Sequence, residues 1–292
     1  MDKELEYYFQ NKPERVYEIG DRERILKWMA SRPRAKTEIK VIGGKDSEVV
    51  VVIPTANFER VSRELRKIYS DLTLVFVLSS GPYFNYATSV NHGIQFALKE
   101  FHPKWIVVSN DDVLEAENPS KLVEELSTTD RSLVFAKPSS YHTYKVSIIK
   151  FNRSYLKVMK NIGKIFRIPP AEVYGSLTLK YGEKLRISKL TVIDSMLKAK
   201  KFAGEVVKEV VNGGSFMVIN RRIVSDKVFD ETFINGYEDV FLSLKHEKDT
   251  EIIDYQLREK RGMSLGFDKI RFVRLYVNEV YFNYLMEKSE KM

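Results

Sequence analysis

The sequence predicts an α/β fold: a mostly parallel, mixed sheet with helices on both faces. Three observations carry that expectation. Short β-branched runs recur through the first half of the chain, each closed by Pro, Ser or Asn. Between them lie segments whose apolar residues repeat at helical spacing. Strand and helix therefore alternate, which is the pattern of parallel strands joined by crossover helices.

The elements follow in chain order. Residues 1–45 read as a helical extension carrying Trp28. "EVVVVIP" (48–54) is a buried strand closed by Pro54. A helix comes next, with Val61, Leu65, Ile68 and Tyr69 on one face, and "LTLVFVL" (72–78) is a second strand, broken by "SSGP". Ala87, Val90, Ile94, Ala97, Leu98 and Phe101 mark a second helix, and "WIVVS" (105–109) a third strand. Pro119 and Ser120 open a helix containing Leu122, Val123 and Leu126, and "LVFAK" (133–137) is a fourth strand. Residues 139–210 show few clear strands; regular structure returns at "GGSFMVIN" (213–220), and residues 267–288 close the chain as an amphipathic helix. The expected units are the extension 1–45, a ligand-binding half 46–138, a variable basic segment 139–210 and a second half 211–292, with 46–292 as one domain. Such sheets bind ligands at the carboxyl ends of their strands, where residues 55–57, 79–81 and 110–112 fall.

The 292 residues are 43% hydrophobic and 30% charged, ordinary for a globular protein. No apolar run approaches a membrane span, and the N-terminus has no apolar segment after a basic one, so neither span nor leader is expected. The absence of cysteine excludes disulfides, thiolate metal sites and a cysteine nucleophile. The net charge of +8 is uneven: residues 145–208 hold 15 Lys and Arg against 4 Asp and Glu. A basic block of this kind suits nucleic acid, an anionic membrane or phosphorylated substrates, and charge alone does not choose.

Two acidic pairs stand out. "WIVVSNDDV" ends a buried strand in an amide and two carboxylates. If the strand continued, alternation would send Asn110 and Asp112 one way and Asp111 the other. Two oxygen groups on one side can grip Mg²⁺ or Mn²⁺, which often keep one or two carboxylates beside substrate phosphates. A helix cap or solvated turn is the bland alternative, and the place after a buried strand favours the cation. In "FINGYEDVFLSLK", Tyr237, Val240, Phe241 and Leu244 repeat at helical spacing, so Glu238 and Asp239 lie in a first turn. Asn235 and Glu238 fit a capping box, which leaves Asp239 as a candidate base for a hydroxyl proton or as a surface acid matched to the helix dipole. His92 and His142 read as hydrogen-bonded fillers. The helical stretch 153–166 puts Tyr155, Val158, Met159, Ile162 and Phe166 on one face and Lys157, Lys160 and Lys164 largely elsewhere, which suits either an interfacial helix or one packed on the sheet.

"VVVIPTANFERVSRELRKI", "NYATSVNHGIQFAL", "WIVVSNDDV" and "GGSFMVINRRIVSDKVFDETFINGYEDVFLSLK" occur in the order found in family 2 glycosyltransferases of the GT-A fold. The resemblance covers about residues 48–138 and 211–246. It implies that Pro54, Thr55 and Asn57 lie along the base and ribose of a nucleotide-sugar donor. It puts Ser79, Asn91, Asn110 and Asp111 beside the donor and makes Asp112 the ligand of Mg²⁺ or Mn²⁺. Gly214 and Ser215 would flank the acceptor, with Asp239 the base next to Glu238. The family's usual Asp after the second strand is replaced by "LSSG", and its downstream His is missing from "HEKDTEIIDYQLREKRGMSLG", where Arg261 is the candidate to pair with diphosphate. The polymerising members' Gln-any-any-Arg-Trp signature is missing too, so the transfer of a single sugar is expected.

The implied activity is an inverting, metal-dependent hexosyl- or deoxyhexosyltransferase. It would act on a glycan, lipid-linked or protein hydroxyl in the cytoplasm or peripherally on a membrane face. A sugar nucleotidyltransferase is the rival enzyme, but "PTANFER" lacks its Gly- and basic-rich loop. A basic nucleic-acid-binding protein is the other rival; no recognition motif supports it, and no nucleic-acid partner is expected.

Overall fold

The computed structural model describes residues 1–46, 48–139, 142–166, 169–179, 203–260 and 269–290. Three short helices come first, α1 (Lys3–Asn11), α2 (Pro13–Ile19) and α3 (Arg22–Ser31). They are followed by β1 (Glu38–Ile42), β2 (Val49–Thr55), α4 (Phe58–Ile68), β3 (Thr73–Leu78), α5 (Tyr86–Phe101), β4 (Trp105–Ser109) and β5 (Val113–Ala116). Then come α6 (Pro119–Ser127), β6 (Leu133–Phe135), β7 (Tyr144–Phe151), α7 (Arg153–Phe166) and β8 (Tyr174–Leu179). The chain closes with β9 (Gly204–Asn212), β10 (Phe216–Asn220), α8 (Glu238–Lys245), β11 (Thr250–Ile252), β12 (Leu257–Glu259) and α9 (Lys269–Ser289).

Seven strands form the central sheet in the order β1-β3-β2-β4-β10-β6-β11. β2, β3, β4, β6 and β11 run one way, while β1 and β10 oppose them. The expected mixed α/β sheet, mostly parallel, is therefore present. Its inner strands, β2, β3, β4, β6 and β10, are buried on both sides. Val49, Val51 and Ile53 pack with Val61 and Leu65 of α4 and Leu122 and Leu126 of α6. Val50 and Val52 face Ala87, Val90 and Ile94 of α5 on the other side. Each buried valine contributes on the order of 1.5–3 kcal/mol, so this layer dominates the fold's stability. At Gly93 the helix lies so close that a Cβ would stand 2.5 Å from Val52 Cγ1 and 2.7 Å from Val77 Cγ2.

Several expectations need correction. The N-terminal extension is not purely helical: β1 joins the sheet antiparallel to β3, pairing Glu38 with Leu78. The basic segment is richer in strands than its sequence suggests, because β7 pairs antiparallel with both β8 and β9 in a separate sheet. Lysines on its solvent side break up the apolar runs that would have marked it: Lys145 is exposed and Lys150 half-buried, while Val146, Ile148 and Ile149 are buried. The last helix is not amphipathic in the simple sense, since it is covered on more than one side. Val273, Tyr276, Val277 and Val280 of α9 pack against Leu5, Phe9, Ile25 and Trp28, whereas Phe282 packs with Val146 and Ile148 of the smaller sheet. Among the described residues, no helix is long and apolar enough to cross a membrane.

Candidate active site

After β2 the chain moves out to β3, and after β3 it returns past β2 to β4. The strand order therefore reverses between β2 and β4, the place where open α/β sheets hold ligands. The β2–β4 ladder ends at Val52 and Val108, yet β2 stays paired with β3 as far as Thr55 and Leu78. Beyond that point β2 and β4 no longer pair, and a crevice opens. Pro54, which has no N–H to donate, is buried in the stretch where β2 has lost the β4 partner.

Across the crevice Thr55 Oγ1 donates to Asp111 Oδ2 at 2.6 Å, and Arg60 Nη2 reaches the same oxygen at 3.2 Å. Asn57 caps α4 through its side chain, which accepts from Arg60 N at 3.0 Å. Strand alternation does not order the triplet 110–112, because β4 stops at Ser109 and the chain turns. Asn110 N donates to Ser215 O at 2.9 Å.

Asp112 has a buried oxygen, Oδ1, with no partner among the described residues. Burial, then the charges of Glu259 and Asp111, push its carboxyl up to about 6. Glu259 arrives from β12, whose antiparallel pairing with β5 sets Glu259 opposite Val113 and sends Lys260 N to Asp112 O at 2.9 Å. Glu259 is 6% exposed, and its Oε2 also lacks a partner among the described residues. Its Oε1 accepts from Ser215 Oγ and stands 2.8 Å from Nδ1 of the buried His142. The other ring nitrogen of His142 donates to Lys137 O at 3.0 Å. Gly214 has φ +51° in the tight turn between β9 and β10 that delivers Ser215.

The second acidic pair opens α8, but the expected capping box does not form. Tyr237 is the cap residue, with φ 72° and no side-chain bond to the helix. Asn235, itself at φ 50°, turns instead to α5: its Oδ1 accepts from Tyr86 N at 2.7 Å and its Nδ2 donates to Phe84 O at 3.1 Å. Glu238 Oε2 accepts from Gly236 N at 2.6 Å. Two non-glycine residues with positive φ, flanking Gly236, are an uncommon backbone for a helix start and belong to a strained, specified loop. Asp239 Oδ2 accepts from Asn212 Nδ2 at 2.8 Å, and Oδ1 accepts from Val240 N at 2.8 Å. Burial, and then the charge of Asp239, raise the Glu238 carboxyl well above the usual range; burial also raises Asp239.

Tyr86, at the start of α5, links the two acidic groups. Burial raises its hydroxyl, and after burial the causes in order are the charges of Glu238, Asp239 and Asp112. All three carboxylates therefore lie within electrostatic reach of one tyrosine. Ser79 follows β3, and its buried Oγ is unpaired among the described residues. Unpaired buried polar atoms of this kind are uncommon in folded proteins and mark places where a ligand or ion would complete the bonding.

Not every expected site residue faces the crevice. Asn91 is buried and fully spent inside the protein: Nδ2 donates to Phe229 O and Glu231 Oε1, and Oδ1 accepts from Val228 N and Phe229 N. It ties α5 to the 228–231 segment and has nothing left for a donor molecule. Arg261 lies outside the described residues. His92 is exposed and bonded to Thr37, a filler as expected, whereas His142 is a filler placed behind Glu259.

Glu259, Tyr86, His142 and Asn212 were not among the residues expected at the site. For Glu259 a signal did exist. Ile253, Tyr255 and Leu257 alternate with Asp254, Gln256 and Arg258, so Glu259 occupies the next inward position of an extended segment, and it is buried there.

Among the described residues, no group of three or more His, Asp or Glu could hold a metal ion by itself. The orphaned oxygens of Asp112 and Glu259 nevertheless fit a hard divalent cation that completes its shell with substrate phosphates.

No protein-family model matches the chain, and no curated protein matches it. Among solved structures the chain is similar to A197 from STIV, which is 13% identical, with a TM-score of 0.40 over 74% of this chain and 86% of that one. It is also similar to HddC from Yersinia pseudotuberculosis, 10% identical, with a TM-score of 0.31 over 73% of this chain and 72% of that one.

Proposed function

We propose that this protein is an inverting glycosyltransferase of the GT-A type, moving one sugar from a nucleotide diphosphate donor to a hydroxyl acceptor. The observation that carries the proposal is the pairing of two acidic groups near Tyr86: Asp112, with an unpartnered oxygen after β4 at the sheet's switch point, and the Glu238–Asp239 pair at the start of α8. Transfer with inversion needs those two functions on opposite sides of one reacting carbon: countercharge for a leaving diphosphate and a base for the incoming hydroxyl.

Asp112 would hold a Mg²⁺ or Mn²⁺ ion, whose charge offsets that developing on the departing diphosphate. Thr55, Ser79 and the 110–112 turn line the donor side, and Arg60 is held there by Asp111. Asp239 takes the proton of the acceptor hydroxyl. The acceptor oxygen then forms its bond to the anomeric carbon while the bond to the diphosphate breaks, and its electron pair leaves with the nucleoside diphosphate. Asn212 and the Val240 N–H fix the Asp239 carboxylate, and burial keeps it basic.

The acceptor side carries the basic segment. Along α7, Val158 (46%), Ile162 (36%) and Ile165 (75%) are exposed, and Lys157 and Lys160 are exposed with them. Apolar side chains beside lysines suit an acceptor held at an anionic lipid surface.

Titration calorimetry of the protein against nucleoside diphosphates and nucleotide sugars, with and without Mn²⁺, tests the proposal. Mn²⁺-dependent binding of one nucleoside diphosphate and its sugar is expected. Preference for a nucleoside triphosphate would point to nucleotidyl transfer, and tight, salt-sensitive binding of duplex DNA without nucleotide binding would overturn an enzymatic role.

A further inference from the structure

The two orphaned carboxylate oxygens pose a problem that the donor site alone does not solve. Asp112 Oδ1 and Glu259 Oε2 are both buried and both unpaired among the described residues. They come from sequence positions far apart, and the β5–β12 ladder brings their segments together: Glu259 pairs with Val113, the residue after Asp112, and the Lys260 N–H closes onto Asp112 O. An acceptor stripped of water and left without a donor costs on the order of 1–3 kcal/mol, more when charged. Two such acceptors, electrostatically in reach of each other, are worse than one.

The surroundings relieve them only in part. Among the described residues neither carboxylate forms an ion pair with a Lys or Arg, Arg60 being committed to Asp111 and Arg258 to Glu115, and His142 stands against Oε1 of Glu259, not Oε2. Glu259 is not loose, either. Ser215 and His142 fix its Oε1, which leaves Oε2 of this immobilised side chain without a partner among the described residues. A buried carboxylate held by a histidine on one oxygen and unsatisfied on the other has the arrangement of a metal ligand with its outer support.

We propose that Asp112 and Glu259 together form a divalent-cation site, with Asp112 Oδ1 and Glu259 Oε2 as its protein ligands and Ser215 and His142 holding Glu259 in place. The site rests on the transferase assignment for its purpose and goes beyond it in its composition, because the downstream ligand is a carboxylate on β12. Two oxygen ligands leave most of the coordination shell open, which suits Mg²⁺ or Mn²⁺ carrying water or diphosphate oxygens and argues against a closed structural site.

Mn²⁺ alone is the probe. Binding to metal-free protein is followed by the loss of the free-ion electron paramagnetic resonance signal, for wild type, Asp112→Asn and Glu259→Gln, with and without a nucleoside diphosphate. Saturable binding by wild type, weakened about tenfold or more in each variant, is expected. Thermal unfolding without metal should show both variants folded, because each amide keeps the shape and an acceptor oxygen. If Asp112→Asn loses Mn²⁺ and Glu259→Gln keeps wild-type affinity, Glu259 is not a ligand, while the transferase assignment stands. If wild type takes up no Mn²⁺ under either condition, both fail. Should the variants not fold, the anomalous signal of Mn²⁺ in wild-type crystals decides. An ion bound by both side chains supports the site, and an ion on Asp112 alone overturns it.

Discussion

Asp239→Asn separates the proposed base from everything around it. Asparagine preserves the shape and still accepts from Val240 N at Oδ1. Its new NH₂ group, however, faces Asn212 Nδ2, now 2.8 Å from a carboxylate oxygen. Asn212 cannot flip cheaply to accommodate it, because its Oδ1 is held by Ser243 Oγ at 2.9 Å. One charged hydrogen bond is therefore lost, on the order of 1.5–3 kcal/mol. Removing a buried negative charge beside Glu238 works the other way, and the protein is expected to stay folded. Turnover is another matter: an amide cannot take a proton at any working pH, and loss of a general base costs about 10² or more, on the order of 3 kcal/mol in the barrier.

The assay is the release of nucleoside diphosphate from the donor identified by calorimetry, measured against acceptor concentration and pH. Turnover should fall at least about a hundredfold with donor affinity unchanged. In wild type the rate should drop as pH falls through the raised value of Asp239, because only the ionised carboxylate accepts a proton. The variant should lose that limb. An active Asp239→Asn enzyme beside an inactive Glu238→Gln enzyme would refute the assignment and give the proton to Glu238.

Three further outcomes are expected. Gly93→Ala gains helix propensity but drives a methyl into Val52 and Val77, so thermal melts should show destabilisation of about 1–3 kcal/mol. Unchanged stability would mean that α5 moves off the sheet freely. Glu279, half-buried and bonded to Tyr237 Oη at 3.0 Å, is raised to about 7, loss of solvent around the carboxyl being the main cause. Its native state favours the proton, so its contribution is complete below pH 4.5, the ordinary carboxyl value, and fades as pH rises towards 7. Denaturant unfolding should therefore show Glu279→Gln gaining about 1–3 kcal/mol over wild type at pH 8 and little at pH 4. An equal difference at both values would contradict this origin. Lastly, the protein should sediment with anionic vesicles at low salt, and Lys157→Glu with Lys160→Glu should weaken that by about 1 kcal/mol per lysine without changing nucleotide affinity. Indifference of wild type to such vesicles would leave a soluble acceptor.

The sequence by itself determined the layered sheet and the places where chemistry could sit. Val49 to Ile53 are too apolar for any but a doubly covered strand, and the residues that stop β2, β3 and β4 line up at one edge because parallel strands end on the same side. Thr55, Asp111 and Asp112 were placed at that edge for that reason. What periodicity could not supply was partnership. Asn235 and Glu238 have capping-box spacing, yet Asn235 bonds to the start of α5, since a long-range contact at Tyr86 N competes for the same side chain. Asn91 occupies a position expected to face a ligand and instead fastens the 228–231 segment. Glu259 comes near Asp112 only because β12 pairs with β5, more than a hundred residues earlier in the chain. Side-chain alternation is a local property, fixed by two or three neighbours, and so it can be read from the sequence. Which strand lies beside which is settled by the burial of whole faces against one another, and that decision exists only in the folded molecule.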